Sequence, residues 1–138
     1  MGWGYGVIGV TLGKRYPGLS VVMSDVNERA VELSRRNAQR NGVSARVMQS
    51  DGYADVPFQR MDWIVQNPPI RAGKSVIYAM FAEGARRLEP SGELWLVIRK
   101  QQGAESAQRY LQGIYRDVAR IARDKGYWVL RCAGGVLE

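Results

Sequence analysis

Short apolar runs alternate with amphipathic stretches along most of the chain. Val21-Val22-Met23-Ser24 is a mainly apolar run closed by Asp25, the pattern of a buried strand. Asn27 then stands as the N-cap of a helix over Glu28–Asn41, stopped by Gly42. Ala45-Arg46-Val47-Met48 predicts a strand ending near Asp51, and residues 52–60, with Gly52 and Pro57, predict a loop. Met61-Asp62-Trp63-Ile64-Val65 predicts a third strand, broken by Asn67-Pro68-Pro69. Val76, Ile77, Met80, Phe81, Ala85 and Leu88 recur at helical spacing and predict a helix over 75–88 with one apolar face. Pro90-Ser91-Gly92 reads as a turn, and Glu93-Leu94-Trp95-Leu96-Val97-Ile98 as a strong strand. Ala107, Tyr110, Leu111 and Ile114 mark one more helix, and residues 118–122 and 127–132 form a hairpin across Asp124-Lys125-Gly126.

Strand and helix in alternation predict an α/β fold with a mostly parallel sheet, to which the last hairpin adds an antiparallel edge. In open sheets of this kind, ligands bind beyond the C-terminal ends of the strands. Asp25, Asp51 and Asn67 all fall at such ends.

Composition narrows the chemistry. The 138 residues hold 46% hydrophobic and 24% charged side chains, which suits one folded domain over 1–138. No stretch reaches the roughly 18 apolar residues of a membrane helix, and Met1-Gly2-Trp3-Gly4-Tyr5-Gly6 lacks the basic start and apolar run of a signal peptide. A single cysteine, Cys132, fits a reducing cytoplasm, and the absence of histidine excludes histidine triads and histidine-ligated metal sites. No metal is expected. The net charge of +7 favours an anionic partner, with nucleic acid ahead of a membrane surface.

Gly2-x-Gly4-x-Gly6 opens a predicted helix over 6–16, where glycines permit a tight turn and close approach of a ligand to the backbone; an ordinary turn is the plainer reading. Asp25, about 20 residues on, is placed to accept from both ribose hydroxyls of a nucleoside cofactor, or else to cap a helix. Asp51 is placed to meet the exocyclic amine of an adenine, or else to serve the turn Ser50-Asp51-Gly52.

Asn67-Pro68-Pro69-Ile70 is the most specific signal. Two prolines stiffen the backbone and remove two N–H donors, leaving carbonyls free to accept. An exocyclic amine on a base is a weak nucleophile because its lone pair is delocalised into the ring. The Asn67 side-chain oxygen and the Pro68 carbonyl would hold its two N–H groups, localise the lone pair and aim it at an electrophilic methyl. A simple loop turn is the competing reading.

Gly4-Tyr5-Gly6-Val7-Ile8-Gly9, Asp25-Val26-Asn27-Glu28-Arg29-Ala30, Asn67-Pro68-Pro69-Ile70-Arg71-Ala72-Gly73-Lys74 and Gly92-Glu93-Leu94-Trp95 together resemble a class I S-adenosylmethionine-dependent methyltransferase. More narrowly, they resemble the small-domain family related to 16S ribosomal RNA guanine-N2 methyltransferases, from Gly2 to about Arg131. The resemblance implies a Rossmann-like sheet and S-adenosyl-L-methionine as cofactor. It implies that Gly2, Gly4 and Gly6 line the methionine end, that Asp25 binds the ribose and Asp51 the adenine, and that Asn67 and Pro68 hold the target amine. Pro69, Ile70, Arg71 and Lys74 would then meet the substrate, with Arg71, Lys74 and more weakly Lys100 on its phosphates, unless these cations are merely solvated surface. Trp3, Tyr5 and Trp63 are candidate stacking surfaces for a base, with core packing the better reading for Trp63.

Two departures from the family follow. Its first strand, which ends in an acidic residue before the glycines, is missing, so the chain reads as N-terminally truncated. That strand would lie between those ending at Asp25 and Val65, and its loss is expected to leave unpaired backbone on both neighbours. Ile70 stands where many nucleic-acid amino methyltransferases carry a stacking aromatic.

The leading reading is methyl transfer to an exocyclic amine of a ribosomal RNA base, guanine N2, on free RNA or a ribosomal subunit. A protein glutamine N-methyltransferase uses Asn-Pro-Pro with an aromatic next, so Ile70 and the +7 charge count against it. A non-catalytic truncated remnant is the rival from another class. A dinucleotide oxidoreductase has no use for Asn-Pro-Pro, and its glycine spacing differs.

Overall fold

The computed structural model describes residues 11–16, 18, 20–25, 28–43, 45–49, 60–68, 73–124 and 126–135. Residues 11–15 are helical (α1). They are followed by β1 (Val21–Asp25), α2 (Glu28–Arg40), β2 (Arg46–Gln49) and β3 (Met61–Gln66). Next come α3 (Lys74–Arg87), β4 (Leu88–Arg99), a 3-10 turn (Lys100–Gln102), α4 (Ala104–Gln112), β5 (Tyr115–Asp124) and β6 (Tyr127–Gly135).

The six strands form one sheet in the order β2-β1-β3-β4-β6-β5. β1, β2, β3 and β4 pair in parallel, and β6 is antiparallel to both of its neighbours, so β6 alone is reversed. This is the α/β arrangement the sequence predicts.

Period-two side-chain alternation builds a layer on each side of the sheet. Val22, Ile64, Leu96, Ile98 and Leu130 face α3 and α4, where they meet Ile77, Phe81, Ala107 and Leu111. Val21, Met23, Val65, Val97 and Val129 face the other way, against Leu12 of α1 and Val31 of α2. Trp63 belongs to this second layer at 9% exposure and stacks obliquely on Tyr16 with ring centroids 5.5 Å apart, so it is a core residue.

The gap expected between β1 and β3 is not there. Val21 pairs with Trp63, Val22 with Ile64, Met23 with Val65 and Ser24 with Gln66. Buried N–H and C=O groups left without partners are costly, and the two strands satisfy each other. Both carry apolar residues on both faces, as neighbours in the middle of a parallel sheet must. Ser20 fixes the register at their start. Its backbone N and Oγ donate to Asp62 Oδ2 at 2.9 and 3.0 Å, and its Oγ accepts from the Asp62 N–H at 3.0 Å.

Four further expectations are corrected. Pro90-Ser91-Gly92 is not a turn between elements but part of β4. Met61 pairs with Leu88 and Trp63 with Glu93, so the intervening residues of β4 are accommodated as an irregularity in the ladder. Gly92 is required there, because a Cβ would meet the Asp62 and Met61 carbonyl oxygens at 2.9 and 3.0 Å. Val76 does not join the apolar face of α3 but is 41% exposed, and Leu88 lies beyond the helix at the start of β4. The last helix runs over Ala104–Gln112, with Ile114 past its end yet packed on the same core. The hairpin strands are longer than predicted. The stop at Gly42 holds, with φ +67° and the Val43 N–H returning to the Ala38 carbonyl at 2.9 Å. The Asn27 cap lies outside the described residues.

Candidate active site

The parallel pairing of β1 with β3 brings two of the predicted site residues together. One step past the last paired residues, Ser24 and Gln66, stand Asp25 and Asn67. Pro68 has no N–H, so the ladder cannot continue beyond Asn67. The side chains complete the contact instead: Asn67 Nδ2 donates to Asp25 Oδ2 at 3.1 Å. Asp25 is buried at 3% exposure, Pro68 is buried and Asn67 is half-buried.

This contact orients Asn67. With Nδ2 committed to the carboxylate, the amide presents Oδ1 as its remaining acceptor. An acceptor held at a strand end beside a proline is the arrangement required to bind an N–H group without transferring a proton. The Asp25 carboxylate accepts this bond with one of its two oxygens.

The other described candidates lie at the same edge of the sheet. Lys74 is the exposed first residue of α3, next to Gly73 at φ +93°, and that helix has neither a side-chain cap nor an acidic residue in its first turn. Lys100 is exposed in the turn after β4, and its N–H donates to the Gly126 carbonyl at 2.8 Å. Gly2, Gly4, Gly6, Asp51, Pro69, Ile70 and Arg71 lie outside the described residues, as do Trp3 and Tyr5. Among the described residues, no group of three or more Cys, Asp and Glu side chains gathers as metal ligands, and no helix is long and apolar enough to cross a membrane.

Sequence reasoning missed the Asp25–Asn67 hydrogen bond, because nothing in either local motif announces the other. It also missed Arg99, Arg120 and Arg123, which the sheet carries to this same edge; the net charge was their only signal.

Comparison with known proteins adds the following. A family model of the methyltransferase small domain matches residues 1–131. The chain is 44% identical over 133 residues to the uncharacterized protein YbxB of Bacillus subtilis (strain 168), covering 95% of this chain and 66% of that one. It is 38% identical over 141 residues to the ribosomal RNA small subunit methyltransferase C of Stutzerimonas stutzeri (strain A1501), covering 97% of this chain and 40% of that protein. The chain thus spans under half of that relative's length. Among solved structures, a 16S rRNA N2 methyltransferase of T. thermophilus in complex with AdoMet and guanosine aligns with a TM-score of 0.65 at 18% identity, over 96% of this chain and 43% of that one. A methyltransferase from Pyrococcus furiosus aligns with a TM-score of 0.64 at 22% identity, over 94% of this chain and 70% of that one. At these identities the alignments establish a shared Rossmann-like methyltransferase fold.

Proposed function

The chain belongs to the methyltransferase small-domain family, and on that premise we propose that it transfers a methyl group from S-adenosyl-L-methionine to an exocyclic amine of a ribosomal RNA base, guanine N2. The observation that carries this reading is the Asp25–Asn67 hydrogen bond, 3.1 Å long, at the C-terminal ends of two adjacent parallel strands. Ligands of such sheets bind at these ends.

The residues present fit the cofactor: Asp25 is a buried carboxylate at a strand end, the type of group that binds ribose hydroxyls. Gly2, Gly4 and Gly6 would line its methionine end and Asp51 its adenine. When bound, S-adenosylmethionine supplies an electrophilic methyl on a sulfonium.

The chain's own residues do the rest by positioning. Asn67 Oδ1 and the Pro68 carbonyl accept the two N–H groups of the target amine, which turns its lone pair out of conjugation. Asp25 keeps the Asn67 amide in the accepting orientation. As the N–CH3 bond forms, the sulfonium S–CH3 bond would break with S-adenosylhomocysteine as the leaving group, and the methylated nitrogen, now cationic and strongly acidic, would lose its extra proton to solvent, so no histidine is needed. Pro69 and Ile70 would border the base. Lys74 sits at the positive end of a helix with no acid in its first turn, a combination that a substrate phosphate relieves. Arg71 and Lys100 would serve the same strand. A ribosomal substrate places the reaction in the cytoplasm.

Incubation with methyl-labelled S-adenosylmethionine and either free rRNA or ribosomal subunits, followed by nucleoside analysis, tests the reading. Label in N2-methylguanosine is expected. Label in protein glutamine, or in no product while the cofactor binds, contradicts it.

A further inference from the structure

Beyond the acceptor pair, three arginines beside Lys100, at the same edge of the sheet, are unused by the chemistry above. β4 runs parallel to β3 with Gln66 level with Leu96, so Arg99 stands just past the level of Pro68. β6 starts at this edge, with Tyr127 paired to Arg99. β5 ends there, with Arg123 paired to Trp128. The Lys100 N–H to Gly126 carbonyl bond, 2.8 Å, ties the turn after β4 to the hairpin turn.

Two of these cations are held in place by rings. The Arg99 guanidinium lies 4.7 Å from the centre of the Tyr127 ring, and its Nε donates to the Tyr127 hydroxyl at 2.9 Å. The Arg120 guanidinium lies 4.6 Å from the centre of the Trp128 ring. Arg99, Lys100, Arg120 and Arg123 are all exposed. None has a carboxylate partner among the described residues, whereas Arg36, Arg86, Arg87 and Arg131 do. A guanidinium resting on a ring keeps N–H donors for an anion and loses less freedom when it binds one.

We propose that Arg99, Arg120 and Arg123, with Lys100, form a docking edge for the sugar-phosphate backbone of a single RNA strand running from the acceptor pair across β4, β6 and β5. The inference rests on the RNA reading of the site and adds where the rest of the strand lies. From β3 to β5 is three strand spacings, roughly 14 Å, enough for two or three nucleotides beyond the target. Charge complementarity selects the occupant: a polyanion meets four exposed cations that have no salt-bridge partner among the described residues.

The test measures binding of a fluorescein-labelled single-stranded rRNA fragment to the full chain across a salt series. The variant carries Arg99→Gln, Arg120→Gln and Arg123→Gln together, and a second carries Lys at the same three positions. Arg123→Gln alone guards against loss of the ring contacts, and a melting curve checks folding of each. The triple Gln variant is expected to lower the slope of log K against log salt by about 2. The Lys variant should retain most of the slope, and S-adenosylmethionine affinity should stay at the wild-type value in both. Wild-type RNA binding with an unchanged slope in the Gln variants overturns the docking edge alone and leaves the arginines as guards of an exposed edge strand. Failure of the wild type to bind RNA, or binding only to vesicles containing phosphatidylserine, overturns the RNA reading and the edge with it.

Discussion

Asn67 and Asp25 meet through a 3.1 Å hydrogen bond across 42 residues of chain, and Ser20 meets Asp62 across an equal separation at the opposite end of the β1–β3 pair. The two contacts bracket one parallel ladder. A slip of that ladder breaks both, so the position of the amide is set by strand register as much as by its own motif.

Replacing Asn67 by Asp tests the contact electrostatically. Two carboxylates at hydrogen-bond distance cannot both ionise cheaply, so one pKa is raised in the folded state. A raised folded pKa gives stability that is present at low pH and lost as pH rises through it. Urea denaturation should show Asn67→Asp weaker than wild type by about 2 kcal/mol or more at pH 7, with part regained near pH 5.

The Ser20–Asp62 clip should matter for the same pair from its other end. Asp62→Ala leaves the Ser20 N–H and hydroxyl without their carboxylate acceptor. A loss of about 1.5–3 kcal/mol is expected, and Ser20→Ala should cost about 1 kcal/mol. Hydrogen exchange should speed first at the amides of Val21 to Met23.

Gly92→Ala probes the irregular stretch of β4. The added Cβ meets two backbone oxygens of β3 at 2.9 and 3.0 Å, and neither belongs to a flexible side chain. A loss of about 1–3 kcal/mol is expected in thermal or urea unfolding. Faster exchange along Met61 to Val65 should accompany it, because the strand that carries Asn67 must give way.

Cys132 predicts an alkaline limit to stability. It is fully buried, and burial first, then the Asp117 and Glu93 carboxylates, push its thiol up from 9.0 to about 12. The folded pKa lies above the unfolded one, so this contribution is complete below pH 9 and is lost as pH rises toward 12. Wild type should lose up to about 1.4 kcal/mol per pH unit more than Cys132→Ala in that window. A thiol reagent at pH 8 should react only after unfolding.

The buried strands were legible because Val21-Val22-Met23 and Trp63-Ile64-Val65 are apolar on both faces, a pattern that surface segments avoid. Asn67 and Asp25 were legible as strand-end residues for the same reason. Their mutual contact was not, since which strands become neighbours is a long-range outcome that local periodicity does not encode. Pro90-Ser91-Gly92 misled because a good turn sequence also serves as a distortion within a ladder when the opposing backbone comes close. Arg99, Arg120 and Arg123 carry no local signal, because it is the pairing of β6 that brings the end of β4 and the end of β5 together.

The central claim, that Asn67 accepts the target amine while Asp25 serves the cofactor, is tested most directly by one paired measurement on Asn67→Ala. Labelled methyl transfer to rRNA and calorimetric affinity for S-adenosylmethionine are determined on the same preparation. Transfer is expected to fall by on the order of a hundredfold or more while the cofactor Kd stays within about threefold of wild type. Transfer retained at the wild-type rate with the cofactor bound would contradict it.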